Sequence, residues 1–211
     1  MSSSSLVARP IIRRIVAGSR DERRRLARHE RVLGAEGRAA REQAAAVAAD
    51  GARLYGSRGG QGQAWDVRRR CCVHAFLDRG GTRVSALAAS ADGALLAVGA
   101  DSGAVNLYAT DALLASESPP SRKEFLNLRT AITHVCFNPA CEALVFASKY
   151  AKGAMRVAHV PSGRVFANWP TSKTPLGYVQ TAAFSPSNGL LGISNDKGKV
   201  LLYRLNHYPA A

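Results

Sequence analysis

Residues 179–208 alternate between apolar and polar positions in a pattern that predicts three short strands. The first alternation, Val179–Phe184, runs into a turn rich in Ser, Pro and Gly, and the apolar run Leu190–Ile193 follows it. A second turn at Asn195–Gly198 leads into a further alternation, Val200–Tyr203. A period of two, bounded by turn residues, is typical of antiparallel strands joined by hairpins.

The same pattern occurs twice more upstream. Val84–Tyr108 aligns with Val179–Tyr203 without a gap, and Ile132–His159 aligns when two extra residues are placed in the turn at Lys149–Lys152. Copies spaced about 47 residues apart are close to the ~40 to 45 residues of a four-stranded propeller blade. We therefore interpret the repeats as blades.

A fourth trace of the pattern precedes these copies. Trp65-Asp66 lies where Tyr108 and Tyr203 lie, at the end of a third strand, and this dipeptide is typical of WD repeats. Outer strands are expected at Cys72–Leu77, near Leu113-Leu114 and at Arg164–Trp169. The predicted fold is all-β: a partial WD-repeat β-propeller of about three to three and a half blades, with a basic N-terminal segment.

Composition changes along the chain and predicts its organisation. Residues 1–62 are rich in Arg, Ala, Gly and Ser and contain one aromatic residue. We predict that they are helical at about 19–50 and otherwise disordered, with a flexible linker at Gly56–Gly62. Residues 63–208 form the blades and 209–211 a tail.

The formal net charge is +14. Such an excess favours nucleic acid or another anionic partner, because its field acts before contact. Three alternatives stay open for the N-terminal residues: an Arg-rich composition without function, an arm that orders on RNA, and, for residues 1–20, an organelle transit peptide.

Several classes of site are not indicated. The four cysteines lack the spacing of a zinc module, and we expect them to be buried strand thiols. No apolar run approaches the ~20 residues of a membrane span, which predicts a soluble protein. No catalytic motif is present, and His134 and His159 lie in strand patterns. We expect no enzyme activity, no cofactor and no metal.

The turns carry the informative residues. We expect turn geometry alone to explain Asp101, Gly103, Gly153, Asp196 and Gly198, because Gly accepts a positive φ and Asp bonds its own backbone. The candidate interaction surface consists of basic side chains and a proline-stiffened aromatic: Lys149, Lys152, Arg156, Trp169, Pro170 and Lys173. For Trp169 two interpretations stay open, an exposed anchor for a partner or a residue packed between blades.

Four specific runs go beyond a general blade pattern. They are LRTAITHVCFNP at 128–139, HVPS at 159–162, NWP at 168–170 and RLNHY at 204–208. From about Trp65 to Tyr208 the chain resembles the C-terminal part of the U3 small nucleolar RNA-associated protein 18 family. The resemblance implies a seven-bladed propeller of the nucleolar small-subunit processome, and this chain lacks the upstream blades.

The resemblance implies a non-catalytic scaffold in pre-rRNA processing and 18S rRNA maturation, located in the nucleus and nucleolus. Its implied partners are other processome proteins, and pre-rRNA and U3 small nucleolar RNA directly or through the complex, with no membrane and no small-molecule substrate. The alternative is a WD-repeat adaptor of another complex, such as a ubiquitin-ligase substrate receptor that uses Trp65, Asp66 and Arg68.

Overall fold

A computed structural model describes residues 45–48, 50–58, 61–79, 83–171 and 173–208. Its elements are fifteen strands and one short helix within these ranges. In chain order they are β1 (Ala45–Val47), β2 (Arg53–Arg58), β3 (Gln61–Asp66), β4 (Cys71–Phe76), β5 (Val84–Ala89), β6 (Leu95–Ala100), β7 (Val105–Ala109), α1 (Thr110–Ala115), β8 (Lys123–Phe125), β9 (His134–Phe137), β10 (Ala143–Ala147), β11 (Met155–His159), β12 (Arg164–Val165), β13 (Val179–Phe184), β14 (Leu190–Asn195) and β15 (Val200–Arg204).

The strands form four antiparallel sheets that follow one another along the chain. Blade 1 contains β1–β4, blade 2 β5–β8, blade 3 β9–β12, and blade 4 the three strands β13–β15. The first strands of consecutive blades contact each other, β1 with β5, β5 with β9 and β9 with β13. This arrangement around common inner strands confirms the all-β, partial-propeller prediction.

The predicted repeat is confirmed in the strand pairing of blades 2 and 4. In blade 2, β5 pairs Val84 with Ala100 and then shifts register before Ala86. In blade 4, β13 pairs Val179 with Asn195 and shifts register before Thr181. The two bulges lie 95 residues apart in equivalent pairs, so the gapless sequence alignment reproduces the pairing, including its irregularity.

Apolar side chains between the blades form the core. Phe125 of blade 2 stacks on Phe146 of blade 3 with ring centroids 5.8 Å apart, and both rings are buried. A second cluster joins Tyr55 of blade 1 to Tyr108 of blade 2, and a third joins blades 3 and 4. Full burial of one such side chain stabilises the fold by ~1.5–3 kcal/mol, so neighbouring blades stabilise one another.

Blade 1 begins earlier than the sequence predicts, so the domain boundary at residue 62 and the linker at Gly56–Gly62 are corrected. Residues Arg53–Arg58 and Gln61–Asp66 form a hairpin in which Gly62 lies against the ring of Phe76. A Cβ at this glycine would lie 2.1 Å from the Phe76 ring, so the glycine is required by packing and does not mark a linker. The composition alone does not distinguish these two uses of glycine.

The helix predicted for about 19–50 lies mostly outside the described residues. At its end, Ala45–Val47 form strand β1, which pairs with β2. Alanine is a strong helix former, and here the contact with blade 2 overrides that preference. The predicted tail, 209–211, and the possible transit segment, 1–20, also lie outside the described ranges.

Two outer strands differ from the prediction. Leu113 and Leu114 lie in α1, and the outer strand of blade 2 is Lys123–Phe125, which pairs with β7. Leu113 is fully buried between blades 1 and 2, so packing explains its hydrophobicity. In blade 3 the outer strand is only Arg164–Val165.

Blade 4 exposes an apolar face. The equivalent face is buried in blades 2 and 3. Val200 and Leu202 on β15 are 71% and 66% exposed. The equivalent residues of blade 2, Val105 and Leu107, are buried against blade 3. We call the side of β15 that carries Val200 and Leu202 the open face.

The one helix of the described residues, α1, has six residues, and no helix in this part of the chain is long and apolar enough to cross a membrane.

The cysteines differ from the prediction. Cys71 and Cys72 are exposed on the outer strand β4, and Cys136 and Cys141 are half-buried. Cys71 and Cys72 begin this outer strand, which pairs with β3 alone, and their side chains face solvent.

Candidate functional site

Hydrogen bonds join the turns and loops at one edge of blades 2 to 4 into a continuous surface. It begins at the β6–β7 turn, where Ile132 N donates to Ala100 O at 3.1 Å. The loop that contains Ile132 then contacts the β10–β11 turn, since Thr130 Oγ1 donates to Ser148 Oγ at 2.8 Å. Lys149 N donates to Thr133 Oγ1 at 3.1 Å and adds a second link.

The surface continues into blade 4. Gly153 N in the β10–β11 turn donates to Gly177 O at 2.7 Å, which ties this turn to the loop before β13. That loop is fixed in turn by Asp196, whose Oδ1 accepts from Tyr178 N at 3.1 Å while its own N donates to Tyr178 O at 3.0 Å. We call residues 101–104, 126–133, 148–154, 166–171, 173–178 and 195–199 the upper rim.

The predicted turn glycines lie on this rim with the expected positive φ, whereas the side chain of Asp196 accepts from Tyr178 N of the preceding loop instead of from its own turn. Gly103, Gly153 and Gly198 have φ of +93°, +67° and +71°. Asp101 repeats the backbone contact of Asp196 two blades earlier, because Asp101 N donates to Arg83 O at 3.0 Å. Both aspartates therefore attach the loop that enters their blade.

The structure places five of the six predicted interaction residues on the upper rim, three of them lysines. Lys149 and Lys152 lie in the β10–β11 turn and Lys173 in the adjoining loop, and Lys152 and Lys173 are exposed. The ammonium of Lys149 lies 5.3 Å from the centroid of the Tyr150 ring, a cation–π distance.

Of the other three, Arg156 lies outside the rim, whereas Trp169 and Pro170 lie on it with half-buried side chains. Arg156 is the second residue of β11, half-buried, and its Nη1 donates to Met155 O at 2.7 Å. Trp169 is half-buried and packs edge-on against Tyr203 at 4.9 Å, followed by half-buried Pro170 after a cis peptide bond. Of the two interpretations of Trp169, its contacts fit packing between blades.

Sequence reasoning missed part of the rim. Lys197, Lys199 and Arg129 are exposed on it, and so is Tyr178, at 42% exposure. The signal was present in the repeats, since the turn that contains Asp196 and Gly198 also contains Lys197 and precedes Lys199. What the sequence did not show was that the loops between blades meet those turns at one edge.

Charge is distributed unequally between the two edges of blades 2 to 4. The upper rim carries six basic side chains (Arg129, Lys149, Lys152, Lys173, Lys197 and Lys199) and two acidic ones (Asp101 and Asp196). The opposite edge, residues 90–94, 110–122, 138–142, 160–163, 185–189 and 205–208, is called the lower rim. It carries one basic side chain, Arg122, and four acidic ones, Asp92, Asp111, Glu117 and Glu142.

A hydrogen-bond network on the lower rim fixes the end of the RLNHY run. Tyr208 Oη donates to Glu142 Oε2 at 2.8 Å and accepts from Asn138 Nδ2 at 2.9 Å. The same amide lies 3.0 Å from Asn188 Oδ1. Burial, and then the hydrogen bond to Glu142, raise the pKa of Tyr208 to about 12. The network ties blade 4 to blade 3.

The other shifted groups lie in separate structural contacts. Burial, and then the hydrogen bond to Asp78, raise the pKa of Tyr108 above its usual range. The hydrogen bond from the Ser90 hydroxyl, and then the one from Ala94 N, lower the pKa of Asp92. Among the described residues, no group of three or more His, Cys, Asp or Glu side chains is placed to hold a metal ion.

Trp65, Asp66 and Arg68, the residues of the alternative adaptor function, lie at the end of β3 and in the following turn. Trp65 is buried with Leu54 and Val67. The Asp66 carboxylate accepts hydrogen bonds from Arg68 N at 2.7 Å and from Arg69 N at 2.8 Å. The bond from Arg69, and then the bond from Arg68, lower the pKa of Asp66. Arg68 is exposed. The adaptor function stays a prediction.

Comparison with known proteins gives one consistent group of relatives. A mouse protein described as U3 small nucleolar RNA-associated protein 18 homolog is 41% identical over 167 residues, 78% of this chain and 30% of its own length. The human homolog is 39% identical over 170 residues, 80% of this chain and 31% of its own. The Saccharomyces cerevisiae U3 small nucleolar RNA-associated protein 18 is 49% identical over 113 residues, 54% of this chain and 19% of its own. The chain thus spans less than a third of these curated relatives. No family model matches it.

Proposed function

We propose that this chain acts in the small-subunit processome, because its matched part belongs to the U3 small nucleolar RNA-associated protein 18 family. Its role there is that of a non-catalytic scaffold in pre-rRNA processing and 18S rRNA maturation. The implied location is the nucleolus, and the partners are processome proteins together with pre-rRNA and U3 small nucleolar RNA, bound directly or through the complex.

One observation carries the scaffold role. The upper rim is a run of short turns connected by backbone and side-chain hydrogen bonds from Ala100 to Asp196. Such turns lose little conformational entropy on binding, because the sheets already fix them. The rim therefore displays Lys149, Lys152 and Lys173 at set positions, whereas Arg156, Trp169 and Pro170 support it from within or between the blades.

Co-purification tests this function. An affinity-tagged chain expressed in cells is expected to enrich U3 small nucleolar RNA, 18S precursors and processome proteins, and to accumulate in the nucleolus. Depletion is expected to raise the level of unprocessed 18S precursor. A diffuse cytoplasmic protein whose depletion leaves 18S precursors unchanged would overturn the proposal.

A matched pair of variants tests whether processome components bind at the upper rim. Lys152→Glu with Lys173→Glu reverses two exposed rim charges and is expected to reduce the recovery of processome components several-fold. Arg69→Glu with Arg122→Glu makes the same change of charge outside the upper rim, at exposed positions. The control pair is expected to retain the recovery.

A further inference from the structure

We propose that the upper rim binds single-stranded RNA directly, through its phosphates and through base stacking on Tyr150 and Tyr178. The inference rests on the proposed function for its biological setting, and it adds the chemical class of the ligand and the residues that contact it. Three features of the rim carry it: unpaired positive charge, exposed aromatic rings between the charges, and fixed spacing.

The positive charges of the rim are available to an external anion. Among the described residues, the ion pairs join Arg69 to Asp66 and Arg83 to Asp101, and none of the six rim cations takes part. The Asp196 carboxylate accepts from a backbone N–H instead. Phosphate binding by cations of this kind releases counterions and supplies most of the non-specific affinity for nucleic acid.

Two exposed tyrosines lie among these cations. Tyr150 is 61% exposed and Tyr178 is 42% exposed. They project from the turn and the loop that the Gly153–Gly177 hydrogen bond, 2.7 Å long, joins. Lys149 lies beside the first ring, and Lys197 and Lys199 follow Asp196, which holds the backbone of Tyr178.

The aromatic rings favour RNA over an acidic protein as the ligand. Carboxylates of a protein would need only the cations, whereas unpaired bases also need flat apolar surfaces on which to stack. Bases inside a duplex are already stacked, so the rim should prefer a single strand. The lower rim of the same blades has no comparable set of cations.

Fluorescence anisotropy with the purified 211-residue chain tests the phosphate contacts. The probe is a labelled uridine-rich RNA of about 20 nucleotides, used as a single strand and as a duplex over a series of salt concentrations. Lys149→Gln with Lys152→Gln and Lys173→Gln is expected to weaken single-strand binding about tenfold. It should also reduce the slope of log K against log salt by about 2, at ~0.7 for each lost phosphate contact.

The control variant is Arg69→Gln with Arg70→Gln and Arg122→Gln, which removes the same charge from exposed positions outside the upper rim. It should change binding by roughly twofold at most and leave the salt slope unchanged. Both variants keep the Arg-rich N-terminal residues, so the contribution of those residues cancels. Equal losses from the two variants would overturn the inference.

Tyrosine variants test the stacking. Tyr150→Ala and Tyr178→Ala should each weaken single-strand binding by about fivefold or more, while Tyr→Phe at either position retains it. Unchanged binding by both alanine variants, together with competition by polyglutamate as strong as by RNA, would assign the rim to an acidic protein instead. Either negative result leaves nucleolar co-purification intact, so it is distinguishable from a failure of the proposed function.

Discussion

Gly103 and Gly153 occupy equivalent turn positions but face different surroundings. Both have a positive φ, +93° and +67°. A Cβ at Gly103 would lie 2.5 Å from Leu128 O, whereas a Cβ at Gly153 would meet nothing within 4 Å. The first glycine therefore serves both turn geometry and close approach of a loop, and the second serves turn geometry alone.

This pair separates backbone strain from steric overlap. Gly153→Ala is expected to lower the free energy of unfolding by ~1–2 kcal/mol, the cost of a left-handed residue with a side chain. Gly103→Ala should cost clearly more, because Leu128 O belongs to backbone that must move. Urea denaturation of both variants measures the difference. Equal costs would mean that the 126–133 loop moves freely away from the turn.

The residues of the rim show what a single sequence reveals at this scale. The repeats located Gly103, Gly153 and Gly198, because turn chemistry is local and recurs at a fixed offset. They did not locate Tyr178 or Lys199 as parts of a surface, since that depends on which loops meet in space. Trp169 was ambiguous for the same reason: its contact with Tyr203 spans two blades.

At the scale of elements, the C-terminal run 205–208 acts as a clamp between blades. Tyr208 reaches Glu142 and Asn138 across the lower rim, and the Asn188 Oδ1 also accepts from Ala140 N at 3.0 Å. This contact gives a physical reason for the specific RLNHY run, which a general blade pattern does not require.

Loss of the Tyr208 hydroxyl should loosen blade 4. Tyr208→Phe is expected to reduce the free energy of unfolding by about 1–3 kcal/mol, because Glu142 and Asn138 lose a partner. The matched control, Tyr150→Phe, removes a hydroxyl from a largely exposed ring and should change it by roughly 0.5 kcal/mol at most. Chemical denaturation of both variants compares them, and equal effects would contradict the clamp.

The same clamp predicts a dependence on alkaline pH. The pKa of Tyr208 in the folded chain is about 12, raised from 10.0. Its contribution to stability is therefore complete below pH 10 and declines as the pH rises through about 12. In Tyr208→Phe this part of the pH dependence should be absent, which denaturation at a series of alkaline pH values measures. A wild-type profile that matches the variant over this range would contradict it.

Strands whose own residues alternate strongly between apolar and polar could be predicted from the sequence. Strands that form only because an adjacent strand is present could not. Strands β5–β7 and β13–β15 follow the pattern of their own residues. Strand β1 is Ala45–Val47 and the outer strand β8 follows a Pro-containing connection, so neither has a local signal of its own. Both form because the adjacent strand offers unpaired backbone groups.

At the scale of the whole molecule, the open face of blade 4 should cause self-association. Val200 and Leu202 are exposed where the equivalent residues of blades 2 and 3 are buried, and β15 lies at the end of a three-stranded sheet. Apolar residues on an edge strand form a common association site. The chain alone is therefore expected to form oligomers whose size increases with protein concentration.

Val200→Thr with Leu202→Thr should shift the chain towards monomer in analytical ultracentrifugation, with little change in melting temperature. The matched change inside the core, Val105→Thr, should instead lower the free energy of unfolding by ~1–3 kcal/mol, because it buries an added hydroxyl. A wild-type chain that is monomeric at all concentrations would contradict the association.

The opposite charges of the two rims have a kinetic consequence for the intact molecule. Blades 2 to 4 carry an excess of basic side chains at one edge and of acidic ones at the other, so these blades have an electric dipole along their central axis. In the field of a polyanion such a dipole experiences a torque, which turns the basic edge towards the polyanion before the two collide. Productive encounters should then be faster than random orientation allows, and this advantage should decline as added salt shortens the range of the field.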